Sequence, residues 1–475
     1  MNDTFRRLLI LLALCAPALA QKAEIEKPSA LQKRGRRMLR EAIASRRSHA
    51  LLASLLETAP GRLSGSPSAA RAVAWGRKTM TELGLENVRL EKVMVPRWVR
   101  GETCEVTLLH PDGGGEKLAA VALGGSIGTG DGSVEGEVVE VKSLKALRNL
   151  GKKGVTGKIV LWNQPFDDAQ TSTFQGYGGA VWQRTIGAVE AGMRGARAVL
   201  VRSVTSMPDD VPHTGAMRYK EGVPKIPAAA VSVVAAERLA AALASGRRVR
   251  VRMRMDCRTL PDVESANVIG EIRGSVHPEE IVLIGAHLDS WDVCPGAHDD
   301  GAGVAHVLEA ARLILSSGPR PRRTIRVVLF INEENGLRGG RAYARDHAAE
   351  IPSHVLAIET DSGGFAPLGF AVTPARRCLP LLTSIGETLE HLALGHLMGG
   401  GGGADISPLR NAGVPVMGLR VVTDRYFDYH HSAKDTLDKV HPRELARGAA
   451  AVAIMALGVA DMEPGLRRAM APETR

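Results

Sequence analysis

Ile281-Val282-Leu283-Ile284-Gly285-Ala286 is an unbroken apolar run that passes straight into His287-Leu288-Asp289. The run reads as a strand, and its neighbours set the fold. A helix is predicted over 303–316, a strand over 324–331, a helix over 338–347 and a strand over 354–359. Farther on come a helix near 379–392, a short strand at 414–419 and a last helix over about 442–462. Strands alternating with helices predict an α/β fold, with a mostly parallel sheet flanked by helices on both faces. In such a sheet a ligand site lies beyond the carboxyl ends of the strands.

Upstream the rhythm differs. Residues 28–58 have helical period, with Leu39, Ile43, Leu51, Leu52 and Leu55 forming one apolar stripe. Ser66 or Ser68 is placed to cap a second helix running to about Leu83, which Gly84 closes. Residues 87–107 alternate as strands do. Residues 118–256 form a block of their own, with strand-like runs at 138–141, 157–161, 198–201 and 249–251. The expected organisation is a leader at 1–20, a first catalytic part at 21–117, an insert at 118–256 and the main catalytic part at 257–475.

The leader reads as a secretory signal peptide. Arg6 and Arg7 precede the apolar run 8–16, and Ala18-Leu19-Ala20 offers small residues for cleavage after Ala20. The run is short of the ~20 apolar residues a bilayer core requires. A secreted or periplasmic protein with no membrane anchor after cleavage is therefore expected. The 475 residues carry 61 Lys and Arg against 51 Asp and Glu, a formal charge of +10. The basic residues are scattered and aromatics make up only 4%, which argues against a nucleic-acid partner. Four cysteines follow the leader, too few for a disulfide scaffold. Cys104 and Cys257 flank the insert, where a bridge and two free buried thiols both remain open.

Groups able to hold a metal gather at the ends of the predicted strands: His287 and Asp289, Asp299-Asp300, Glu333-Glu334, Asp361, and His430-His431. One strand-end histidine is ordinarily structural, and a Glu-Glu pair ordinarily faces solvent. Together they converge on one rim of one sheet. Two histidines with three carboxylates suit borderline divalent ions, zinc first, with cobalt or manganese also compatible. Two zinc ions, three carboxylates and one hydroxide balance in charge, whereas a single ion would strand acidic groups in a cleft. Two metals are expected.

Taken with Asp299-Asp300-Gly301-Ala302-Gly303, Asp361-Ser362-Gly363, His431-Ser432 and Asp435-Thr436, these motifs resemble the co-catalytic di-zinc exopeptidase family, and its carboxypeptidase Q branch in particular. The likeness is strong over 262–462 and weaker elsewhere. It implies a zinc exopeptidase fold with a protease-associated-type insert and two Zn2+ per chain. His287, Asp299 and Asp361 would hold one ion and Asp299, Glu334 and His431 the other. Glu333 would be the general base to a bridging hydroxide. Asp289 would orient the His287 imidazole, Asp300 would follow a cis peptide, and Asp435 would support the site or cap a helix. Cys294 is left as a more distant thiol, an oxidation liability or a ligand. The resemblance also implies a homodimer.

The expected substrate is a short peptide, a dipeptide or a terminal residue. Gly402, Gly403 and Asp405 are candidates for gripping a substrate terminus. Asp405 would hold a free amino group, while Arg420 or Arg425 would hold a free carboxylate. His430 is a weaker candidate, because alternation along an extended segment would point it away from His431. The alternatives are an aminopeptidase proper, an aminoacylase-type amidohydrolase, a one-zinc glutaminyl-cyclase-like enzyme, and an inactive binding protein on a peptidase fold.

Overall fold

The computed structural model describes residues 29–470; the leader and its cleavage point after Ala20 lie outside the described residues. Sixteen strands among these residues, β1 to β16 in chain order, form two eight-stranded sheets. The first holds β1 (Glu86–Val99), β10 (Arg258–Ile272), β11 (His277–His287), β12 (Arg323–Phe330), β13 (His354–Glu359), β14 (Pro367–Thr373), β15 (His396–Gly399) and β16 (Val416–Val421). Their order is β1-β10-β12-β11-β13-β16-β14-β15. The four central strands β12, β11, β13 and β16 are parallel. Antiparallel pairings sit at the margins, β10 on β12 and β14 on β16.

The apolar runs explain the layering. Alternate residues of β11 pack on opposite faces: Val282, Ile284 and Ala286 join the core beneath the helices Ala302–Ser316 and Pro442–Asp461. Leu283 joins Phe330, Tyr343 and Leu409 on the other side, under Arg338–Asp346 and Ser407–Asn411. A strand covered twice has no polar face, so it shows no alternation. The parallel strands end on a common rim, where His287, Glu333, Glu334 and Asp361 follow.

Several elements differ from the sequence reading. The first helix is two, Ala30–Ser45 and Arg47–Thr58, because Arg46 takes a left-handed conformation with φ 52°. Ser66, not Ser68, caps the helix Pro67–Glu82, its hydroxyl accepting from Ala69 N at 3.0 Å. The helix expected at 379–392 is shorter, Thr383–His391, preceded by separate turns around Pro380. Strands β10, β14 and β15 were not foreseen. β10 pairs with β1 and β12 at one side of the sheet, and β14 and β15 pair with each other at the opposite side; all three mix polar and apolar residues that carry little periodic signal.

The second sheet holds β2 (Cys104–Leu109), β3 (Gly115–Leu118), β4 (Ala120–Ala122), β5 (Val134–Val141), β6 (Ile159–Trp162), β7 (Ala198–Arg202), β8 (Ala228–Val231) and β9 (Arg250–Met255). The chain enters and leaves it on adjacent antiparallel strands, since β1 pairs with β10 as far as Val99–Arg258 and β2 with β9 from Cys104–Met255. This sheet thus begins at Cys104, ahead of the boundary expected at 118, because β2 and β3 are fixed by pairing through β9 rather than by sequence proximity to β1. Cys104 and Cys257 sit in its core as free thiols. Burial pushes them up to about 12 and about 11.

Two side chains tie the sheets to the loop that follows β11. Trp291 leaves that loop and lies in the core of the second sheet with Leu63 and Trp98. It fits only because residue 124 is glycine: a Cβ there would stand 1.9 Å from the indole. Arg62, wholly buried, donates from Nε to Leu288 O at 2.6 Å and from Nη2 to Gly296 O at 3.0 Å, with Nη1 on the Pro295 carbonyl. These are three carbonyls of one irregular loop, and no strand partner exists to satisfy them. Among the described residues no helix is long and apolar enough to cross a membrane.

Arg62→Met keeps the bulk but removes all three donors. It is expected to lower the urea unfolding free energy by ~2–4 kcal/mol, read as a shifted midpoint at unchanged slope; an unshifted midpoint would show that the loop holds itself.

Candidate metal centre

His287 ends β11, and its Nδ1 lies 3.0 Å from the main-chain oxygen of Asp289. That carbonyl takes the Nδ1 proton and leaves the Nε2 lone pair for other use. Nε2 stands 3.2 Å from Asp299 Oδ1 and 3.6 Å from Asp361 Oδ1. The second oxygen of Asp299, Oδ2, is 3.2 Å from His431 Nε2, which is 3.1 Å from Glu334 Oε2. One carboxylate therefore belongs to two donor sets at once.

Those separations test whether metal would fit. Bonds of ~2.0–2.1 Å in a tetrahedron set neighbouring donors ~3.3–3.4 Å apart. The observed spacings of 3.1–3.6 Å straddle that edge length in both sets. The sets His287/Asp299/Asp361 and Asp299/Glu334/His431 each offer three donors of the types that zinc prefers and leave a fourth direction open. The charge agrees: burial and the facing Asp299 push the Glu334 carboxyl up to about 7. For His287, burial opposes a charge, but hydrogen bonds to Asp299 and Asp361 prevail and raise the imidazole well above its ordinary range. Cations would relieve this crowding of acids.

The supporting carboxylates act mainly on backbone. Asp300 follows a cis peptide and accepts from His287 N at 3.1 Å and Gly303 N at 3.0 Å, joining the end of β11 to the next helix. Asp435 accepts from His298 N at 2.6 Å and Asp299 N at 3.1 Å, so it supports the Asp299 loop rather than capping a helix. Asp289 corrects the sequence reading. Its carboxylate is 3.9 Å from His287 Nδ1 and instead accepts from Glu333 N and the Ser64 hydroxyl, each at 3.0 Å. The imidazole is oriented by the Asp289 carbonyl, and the carboxylate positions Glu333. Burial, reinforced by Asp361, Glu334 and Asp405, holds the Glu333 carboxyl well above its usual range.

His430 also departs from expectation. The segment is a helical turn, Tyr426–Tyr429, followed by His431 at φ 61°. Alternation does not apply there, and the two imidazoles stack with centroids 3.5 Å apart. His430 Nε2 lies 3.7 Å from Asp299 Oδ2. The second unit pins this turn: Thr214 N donates to His431 O at 2.9 Å, and His213 Nδ1 lies 2.7 Å from His430 O.

The glycine loop does not reach the cleft. Gly402, Gly403 and Asp405 are absent from its lining. Gly403 passes so close to the buried Glu359 carboxylate that a Cβ would stand 2.1 Å from it. Ile406 N donates to the same carboxylate at 2.9 Å. Asp405 is itself buried, and burial together with Glu359 raises its carboxyl far above normal. The loop's amides serve an internal acid, not a substrate terminus. Arg420 lies against Met398 and lines a different cavity, and Arg425 covers Tyr429. Cys294 is buried and stands outside both donor sets.

A cleft of about 520 Å³ opens on the donors and Glu333. One wall comes from the second unit: Phe174, Tyr177, Arg184, Met217 and Arg218. Nothing in the sequence marks these residues, which lie about 70 to 110 positions ahead of the first donor, His287, and share no motif among themselves.

Residues 267–456 match the family described as peptidase family M28. Carboxypeptidase Q of Mus musculus is 39% identical over 425 residues, covering 89% of this chain and 87% of that protein. Carboxypeptidase Q of Homo sapiens is 38% identical, covering 90% and 88%. A peptidase M28 precursor from Shewanella amazonensis SB2B superposes with a TM-score of 0.87 at 37% identity, over 92% of this chain and 98% of that one. An aminopeptidase from Aneurinibacillus sp. strain AM-1 shares the fold, with a TM-score of 0.61 at 22% identity over 89% and 95%.

Proposed function

The chain belongs to peptidase family M28 and is a metallopeptidase, and from that premise we propose that it is a secreted or periplasmic di-zinc exopeptidase acting on dipeptides or on the termini of short peptides. The observation that carries the two-metal reading is the split of Asp299, Oδ1 toward His287 and Asp361, Oδ2 toward His431 and Glu334. The signal-like leader supports export.

When bound, the two ions would acidify a water molecule and polarise the scissile carbonyl. The rest falls to the chain. Glu333 accepts the proton of the attacking water and returns it to the departing amine, a task suited to a carboxyl that lines the cleft beside the donors. Asp289 fixes the Glu333 main chain, so the carboxylate does not drift from the cleft. The wall from the second unit narrows the approach, which favours short substrates over folded chains. The protease-associated character of that unit rests on the resemblance alone.

Metal analysis of the purified protein is expected to find two zinc ions per chain. His431→Ala should retain one and Asp299→Ala fewer than one; a wild-type value of one would overturn the paired centre. Hydrolysis of a panel of dipeptides, amino-acid arylamides and N-blocked peptides, with and without chelator, tests the activity itself. Cleavage of arylamides alone would make it an aminopeptidase, and cleavage undiminished by metal removal would end the proposal. Glu333→Gln is expected to keep both ions while lowering kcat by ~10²–10⁴-fold. Near-normal turnover in that variant would discard Glu333 as the base.

A further inference from the structure

Arg184 is buried in the wall that the second unit contributes to the cleft. Its Nη1 lies 3.2 Å from Thr214 O and 3.3 Å from His431 Nδ1, and its Nη2 donates to the Tyr177 hydroxyl at 2.6 Å. Among the described residues its Nε has no partner. Among the described residues no carboxylate pairs with this guanidinium. An unpaired buried charge is costly, and a guanidinium fork is the group best shaped to receive a carboxylate.

The surroundings narrow the choice of ligand. The acids lining the cleft are Asp299, Glu333, Glu334 and Asp361, which are the donors and the base. None is left over to hold a substrate ammonium group. The cations lining it are Arg184, Arg218 and Arg341. The latter two are exposed at the rim, and neither is ion-paired among the described residues. The free polarity of the cleft is therefore positive.

Position supplies the rest. Arg184 touches the far side of the His431 ring, one imidazole away from the donor set. One peptide residue spans ~3.3–3.6 Å, so a carboxylate one residue beyond a scissile carbonyl at the donors falls within reach.

We infer that Arg184 is a specificity-determining residue of this cleft, binding the free α-carboxylate of the residue cleaved off. This inference deepens the peptidase reading and rests on it. The test separates the two by measuring binding without turnover. Calorimetry on Glu333→Gln protein compares a dipeptide with the same dipeptide as its C-terminal carboxamide. The free carboxylate is expected to bind ~10–100-fold tighter, the range for a hydrogen-bonded charge pair. In the Glu333→Gln/Arg184→Gln double variant that ratio should fall toward one. The wild-type enzyme should show the same preference in kcat/KM for the two compounds. Equal affinity for acid and amide, or a preference that survives at full size in the double variant, would overturn the assignment. A protein that hydrolyses neither compound would refute the peptidase reading while the affinity ratio still decided Arg184. Should the double variant fail to fold, the acid-to-amide comparison needs no substitution at residue 184, and Arg184→Lys, which keeps the charge but loses the fork, should give an intermediate ratio.

Discussion

The site depends on a single carboxylate presenting its two oxygens to two separate groups of donors. Asp299 can do so only if its main chain is held still, yet it lies on an irregular loop with no strand to pair it. The structure answers with buried polar groups: Arg62 fills the carbonyls of the loop, Asp435 takes the amides of His298 and Asp299, and Asp300 binds the loop back to His287. Each of these groups is costly to bury alone and economical when fully satisfied. The loop is rigid because its polar atoms are used up.

Of the candidate donors and base, His287, Glu333, Glu334 and Asp361 were legible because they sit where a strand ends, and chemistry at the carboxyl ends of a parallel sheet follows from topology, whereas Asp299 and His431 lie in turns and were legible by motif. His287, Glu334 and Asp361 could be read off apolar runs that stop abruptly. The assignment to one rim needed no knowledge of the second sheet. What could not be read depended on local backbone or on distant contacts. His430 faces the same way as His431 because of one left-handed residue in a tight turn, where a period-two argument has no force. Asp289 orients the imidazole through its carbonyl and not its side chain, a distinction that residue identity does not encode. Asp405 reads as an acid in a glycine loop able to grip a substrate terminus, but the loop folds inward around Glu359.

The second sheet changes the meaning of the cleft. The stretch of chain that builds the first sheet and its loops supplies every candidate metal donor and the proposed base, while the second supplies aromatic surface and fixed positive charge. The proposed chemistry and the proposed selection thus fall to different stretches of chain that meet at the turn carrying His430 and His431. Thr214 and His213 hold the carbonyls of that turn, so the placement of an imidazole donor depends on residues from the selecting half.

The same interlock bears on how such a molecule can vary over generations. Trp291 grows from the loop beside Glu334 yet is sheltered by Gly124 in the other half, and its ring centroid lies 5.7 Å from that of His431. A mutation at residue 124, remote from every reacting atom in the linear chain, would be transmitted through one indole to the hydrolytic chemistry. The selecting half is therefore not a detachable cover that could be lost or exchanged while the remainder continued to work; the two halves must drift together.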